Sequence, residues 1–211
     1  MSDVHTSDLP ERAVAAALEI VLESGADALT LRAVARRLGV THRAIAKHTD
    51  GLPGLLARTA ASVYQQIDRF IHTRTDCHPP RPGAFRAMGH AYIQFARAHP
   101  SWIRLLTRPV VTTSVHPALT DARRLFYDRM CVAVRDGQRR GVLRAGPVEP
   151  IATFAWTAVQ GFALLEHEVQ QVTDTTADAR TEAFLDGVFL GIRALGDPGW
   201  WPASVGTHTD T

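Results

Sequence analysis

Residues 29–48 read LTLRAVARRLGVTHRAIAKH, and their small and apolar positions recur where two short helices crossing at a tight turn require them. Val34 and Leu38 supply the inward face of the first helix, and Ala35 is small enough for the second to cross it closely. Gly39 permits a left-handed turn, and Val40 and Ile45 close the core. The stretch reads as a helix-turn-helix. Thr41 is expected to cap the second helix by accepting a backbone N–H of its first turn. The residues behind it, His42, Arg43, Lys47 and His48, can hydrogen-bond or carry positive charge.

Helical hairpins of this spacing also occur without any nucleic acid, so charge is the second argument. Arg32, Arg36, Arg37, Arg43 and Lys47 oppose Asp50 alone between residues 28 and 50, whereas Asp3, Asp8, Glu11, Glu19, Glu23 and Asp27 precede them with only Arg12. Such local polarity is the footprint of a phosphate-facing surface; the plainer alternative is a solvated basic face. Arg32, Thr41, His42, Arg43, Lys47 and His48 are the expected contacts to double-stranded DNA. His42 and Arg43, next to the helix start, are expected to read base edges and Lys47 to hold the phosphate backbone.

The run GADALTLRAVARRLGVTHRAIAKH resembles the DNA-binding domain of the tetracycline-repressor (TetR) family of bacterial transcription regulators. The resemblance covers residues 10 to about 60 well and the remainder more loosely, through HPSWIRLL, RRGVLR and FAWTAVQGFALLE. The last of these is similar to a subgroup in which Trp, His and Gly recur on the penultimate long helix; Trp156 and Gly161 fit, and Gln160 stands where His is frequent. The family implies a dimer whose two heads enter successive major grooves of a palindromic operator. It also implies a small apolar effector that tilts a connecting helix and changes the spacing of the heads. The chain departs from the family at Ala46, Thr49 and Leu52, where Tyr, Phe and Lys are usual. Two expected phosphate anchors are therefore missing. A helical dimer that binds a ligand or protein partner without sequence-specific DNA binding is the competing reading.

The rest of the chain is expected to be all-α. Asp8, Pro10 and Glu11 suggest a capped helix start, with Val14, Ala17, Leu18, Val21 and Leu22 as its apolar stripe and Gly25 as a left-handed stop. This helix would cover the hairpin and make a three-helix head over residues 1–50. Apolar positions from Leu55 to Ile71 continue at helical spacing, so residues 51–74 read as a connecting helix. Pro79, Pro80 and Pro82 mark a loop, and helix resumes from Phe85 until Pro100. Ser101 is expected to cap a short helix, residues 108–117 to form a loop, and a long helix to run to a stop at Gly141.

Residues 149–168 and 180–195 are apolar around most of their circumference, and Ala183, Gly187 and Gly191 lie on one line at i, i+4 and i+8. Glycine within a helix costs about 1 kcal/mol relative to Ala, so a close helix approach should offset it. A homodimer interface is one source of that packing and the monomer core the other. A ligand-binding and dimerisation body is thus expected over residues 51–195, with a tail at 196–211. Aromatic and polar candidates for a pocket wall are Tyr64, Phe95, Trp102, Phe126, Met130, Trp156 and Gln160; ordinary core packing is the alternative for each.

Composition narrows the class. The 211 residues are 45% apolar and 21% charged, enough for a sizeable core. Cys77 and Cys131 are too few for a disulfide framework, and no apolar run is expected to reach the roughly 20 residues of a membrane span. With a polar N-terminus, MSDVHTSDLP, a cytoplasmic setting is expected. There is no HxxxH or HExxH pattern, CxxC, GxSxG or Gly-rich phosphate loop among the ten histidines and two cysteines, so neither an enzyme, a metal nor a cofactor is expected.

Overall fold

The structure is a computed structural model that describes residues 8–75, 84–143 and 145–195. These residues are all-α: no strand occurs among them. The order is α1 (Leu9–Ser24), a 3-10 turn (Ala26–Ala28), α2 (Leu31–Leu38), α3 (His42–Thr49), α4 (Gly51–Thr75), α5 (Ala84–Ala98), α6 (Pro100–Leu106), α7 (Pro109–Thr112), α8 (Pro117–Arg139), α9 (Val148–Gln170) and α10 (Ala177–Leu195). Cys77, Pro79, Pro80 and Pro82 and the tail at 196–211 lie outside the described residues.

Contacts divide the chain into two compact units. The first holds α1 to α3, α4 as far as Thr73, and Gln94–Tyr127; the second holds Arg74–Ile93 and the chain from Asp128 onward. A head ending near residue 50 is thus nested in the first unit.

Within the first unit, Ala13, Ala17, Val21, Val34 and Ile45 are completely removed from water and join α1, α2 and α3. Gly39 is left-handed at φ 67 and ψ 29, and the Thr41 hydroxyl accepts the Ala44 N–H at 3.2 Å. Thr30 caps α2 in the same way, accepting from Ala33 at 3.0 Å. Both caps satisfy N–H groups that a helix start leaves without partners.

Several local expectations are corrected. Asp8 sits at φ −92 and ψ −10 and makes no side-chain cap, so the α1 start rests on Pro10 in its first turn. Gly25 has φ 83 but ψ 168, an extended left-sided conformation open only to glycine rather than the left-handed helical one. Leu22 is 50% exposed, because the inward stripe of α1 ends at Val21. Ser101 lies inside α6, which follows His99 without a side-chain cap, and residues 109–112 form a short helix where a loop was expected.

The join between α3 and α4 is tight. Asp50 at φ 58 and Gly51 at φ 71 are consecutive left-handed residues. A Cβ on Gly54 would lie 2.0 Å from the Thr49 carbonyl oxygen, so the first turn of α4 presses directly on the last residue of α3. Two contacts from the following helices hold the head within this unit. The Trp102 indole N–H on α6 donates to the Leu18 carbonyl of α1 at 3.0 Å, and the Arg108 guanidinium donates to the Ala26 carbonyl.

In the second unit, Phe162 on α9 and Phe184 on α10 stack with centroids 4.2 Å apart. Gly89 of α5 approaches both helices, since a Cβ there would lie 2.9 Å from Leu185 and 3.6 Å from Val159. Arg86 bridges Glu182 at 2.7 Å and Asp186 at 2.9 Å. By length and composition α9 is apolar enough to cross a membrane, contrary to the expectation that no segment would be. Its polar Thr153, Thr157 and Gln160 are spread among the apolar residues, which is why no single run stands out in the sequence.

Candidate nucleic-acid interface

The hairpin presents a set of uncommitted cations. Arg32, Arg36, Arg43 and Lys47 are exposed, and none makes an ion pair or side-chain hydrogen bond among the described residues. Thr41 and His42 are also exposed, and His48 is half-buried. Arg37 is different. It pairs with Glu19 at 3.3 Å and Glu23 at 2.5 Å on α1, and its guanidinium holds the Glu23 carboxyl below the usual range. Two of the acids that precede the hairpin are therefore spent on one arginine, while the other four cations keep their charge for an external anion. Thr41 adds direction, because the capped start of α3 carries the positive end of its dipole and the neighbouring His42 and Arg43 side chains.

Ala46, Thr49 and Leu52 explain themselves differently. Ala46 and Leu52 are half-buried and too short to reach a phosphate. Thr49 is fully buried, with its hydroxyl donating to the Ile45 carbonyl at 2.8 Å, so it fills core space rather than facing DNA.

A polar triad that sequence reasoning missed closes the end of α3. Asp50, the C-terminal residue flanking α3, accepts from Arg58 of α4 at 3.1 Å and lies 3.5 Å from His116 Nε2 just before α8. The Arg58 and His116 contacts hold the Asp50 carboxyl below the usual carboxylate range. Nothing local announces this group, since the three residues come together only through the fold.

The pocket candidates separate between the two units. Tyr64 and Phe126 meet with centroids 5.7 Å apart and line an open groove of about 760 Å³ between α1, α4 and α8. Burial pushes the Tyr64 phenol up, opposed by Arg123. Phe95 and Trp102 belong to another cluster of the same unit, in which Phe95 packs on Phe70 at 5.4 Å and His99 stacks on Trp102 at 4.5 Å. Burial lowers the basicity of that His99 ring. Met130, Trp156 and Gln160 lie in the second unit, the first buried and the others half-buried.

On α10, Ala183 and Gly187 are exposed, and a Cβ on Gly187 would meet nothing within 4 Å. Gly191 is half-buried and would meet the Phe154 ring at 3.2 Å. Phe154 itself is 38% exposed, and Leu165 and Leu190 more so. Among the described residues no group of three metal-ligating side chains occurs.

Residues 85–188 match the family of tetracyclin repressor-like C-terminal domains. No curated protein matches the chain. Among solved structures, it is similar to a protein of unknown function from Rhodococcus sp. RHA1, with 24% identity, 92% of this chain and 100% of that one covered, and a TM-score of 0.74. It is also similar to a TetR-family transcriptional regulator from Pectobacterium atrosepticum, at 19% identity, 92% and 97% coverage and a TM-score of 0.70. A fatty acid degradation regulator from Bacillus halodurans follows the same course at 9% identity, 85% and 94% coverage and a TM-score of 0.66. At these identities the likeness to solved structures is one of fold.

Proposed function

We propose that the chain, whose residues 85–188 match the tetracyclin repressor-like C-terminal domain, is a DNA-binding transcription regulator of the tetracycline-repressor (TetR) family, acting as a homodimer on a palindromic operator. The observation that carries this reading is the division of labour on the hairpin: Arg37 is neutralised by α1, and Arg32 and Arg36 on α2 and Arg43 and Lys47 on α3 remain free and exposed. A cation kept free of internal partners on an exposed helix contributes to phosphate binding by releasing counterions from DNA. His42 and Arg43 read base edges, Lys47 and Arg32 hold the backbone, and Thr41 and His48 flank them.

The dimer is supported by the face of α9 and α10. Phe154, Leu165 and Leu190 expose apolar surface on these two helices, and Ala183 and Gly187 are exposed with nothing against Gly187, while Gly191 on the same line packs on Phe154 within the monomer. A second copy with the same ridge would cover it through a two-fold interface. The regulator is repressive, and a small apolar effector shifts it between operator-binding and released states by differential affinity. Gln160, half-buried one turn after Trp156, is a polar group able to orient a ligand in the second unit.

Selection of bound genomic fragments by the purified protein tests the reading. Recovery of a palindromic site supports the regulator. Salt-sensitive binding without any sequence preference supports instead a helical dimer that recognises a ligand or protein partner.

A further inference from the structure

We propose that the groove between α1, α4 and α8 is an effector site, and that its ligand is a small molecule joining an aromatic or aliphatic body to a protonated amine. The idea rests on the regulator reading above, but gives the effector a cationic group beside its apolar body and a site in the first unit, separate from Gln160. The groove, at about 760 Å³, is in the range of sites for drug-sized ligands. Its apolar wall comes from Val14, Tyr64, Leu125 and Phe126, and the half-exposed Leu125 offers surface that a ligand would remove from water.

Charge decides the class. Glu11, Asp68 and Asp121 line the groove with one cation, Arg58, whose Nη2 bonds Asp50 while its Nε has no hydrogen-bond partner among the described residues. Glu11 and Asp121 are exposed and form no ion pair among the described residues. An anionic ligand would meet like charge on both sides of the cleft. An amine would find a carboxylate on α1 and another on α8, and would thereby tie the first helix of the head to α8. The position also supplies a route to DNA. Arg58, on the groove wall, bonds the residue that closes α3, so a ligand that displaces the Arg58 side chain disturbs the end of the recognition helix.

The test uses the full chain and calorimetry with 3,3-diphenylpropylamine, compared with the corresponding alcohol and carboxylate. The amine should bind, with the alcohol weaker by roughly tenfold or more and the carboxylate weaker still, as expected for charge-assisted hydrogen bonds. Glu11→Gln combined with Asp121→Asn should lose that preference, and Leu125→Gln should weaken the amine and alcohol alike. Equal binding of amine and alcohol, or an amine affinity unchanged in the double variant, would overturn the proposal. Binding seen only after removal of residues 1–7 would also overturn it, by assigning the groove to the chain's own N-terminus. Because these readouts need no operator, their failure is separable from failure of the regulator reading, which the fragment selection decides.

Discussion

Arg58 on α4 donates to the Asp50 carboxylate at 3.1 Å, and Asp50 is the left-handed residue on which α3 ends. The same carboxylate faces His116 at 3.5 Å, so one exposed acid joins α3, α4 and the approach to α8. Its carboxyl is lowered below the ordinary range, chiefly by the Arg58 hydrogen bond and then by the one from His116. A carboxyl with a lowered folded-state pKa binds fewer protons folded than unfolded across that interval. Its stabilisation is therefore complete above the unfolded value and is lost as pH falls through the folded one. Asp50→Asn keeps a residue that tolerates the left-handed conformation and removes only the charge. The melting temperature should drop at neutral pH, and the gap to wild type should close in acid. A gap independent of pH would contradict an ionic role.

Gly54 tests the packing of α4 on α3. A Cβ at that position would fall 2.0 Å from a backbone oxygen that cannot move aside without shifting a helix end. Gly54→Ala should cost about 2 kcal/mol or more by denaturant unfolding. Gly161 on α9 has nothing within 4 Å of such a Cβ, and Gly161→Ala should instead stabilise by up to about 1 kcal/mol. Equal effects at the two sites would count against the tight join.

The Trp102 contact is a matter of one hydrogen bond at long range. Trp102→Phe keeps an aromatic ring beside His99 and Phe95 but deletes the donor to the Leu18 carbonyl. A loss of about 1 kcal/mol is expected. An unchanged unfolding curve would mean that α6 is held to α1 by apolar packing alone.

How far such features are legible in the sequence depends on how local their causes are. Gly39 and Thr41 were readable because a left-handed turn and a cap are decided by the residue itself and its neighbours three positions on. Thr30 had the same signal, a Thr just before an apolar-periodic helix, and could have been found. Asp8 carried the signal without the geometry, since its backbone is already near-helical and its side chain points elsewhere than the first-turn N–H groups. The basic character of the hairpin was legible, but not that Arg37 is withdrawn from it, because Glu19 and Glu23 reach Arg37 only when α1 crosses α2. Trp102 is a pocket candidate on aromaticity alone, and no local signal announces that its N–H finds a carbonyl 84 residues away. The Asp50, Arg58 and His116 triad is tertiary in the same sense.

The ridge on α10 predicts assembly. If Ala183 and Gly187 meet a second copy, Gly187→Leu forces the two helices apart, and light scattering should report monomers or aggregates in place of a dimer. An unchanged dimer mass would place the interface elsewhere.

The central claim is that α3 and the start of α2 read DNA with the cations that α1 leaves free. Its most direct measurement is operator affinity by fluorescence anisotropy, at several salt concentrations, on the recovered site and its single-mismatch variants. Arg43→Ala should cost about 1 to 3 kcal/mol and relax preference at one position per half-site. Lys47→Ala should weaken every sequence about equally and reduce the salt slope by about 1. Arg37→Ala, which loses its partners on α1 rather than a phosphate, should leave the sequence preference unchanged. If Arg43→Ala and Lys47→Ala bind as the wild type does, with the same mismatch pattern and salt slope, α3 does not face the DNA and the account is wrong.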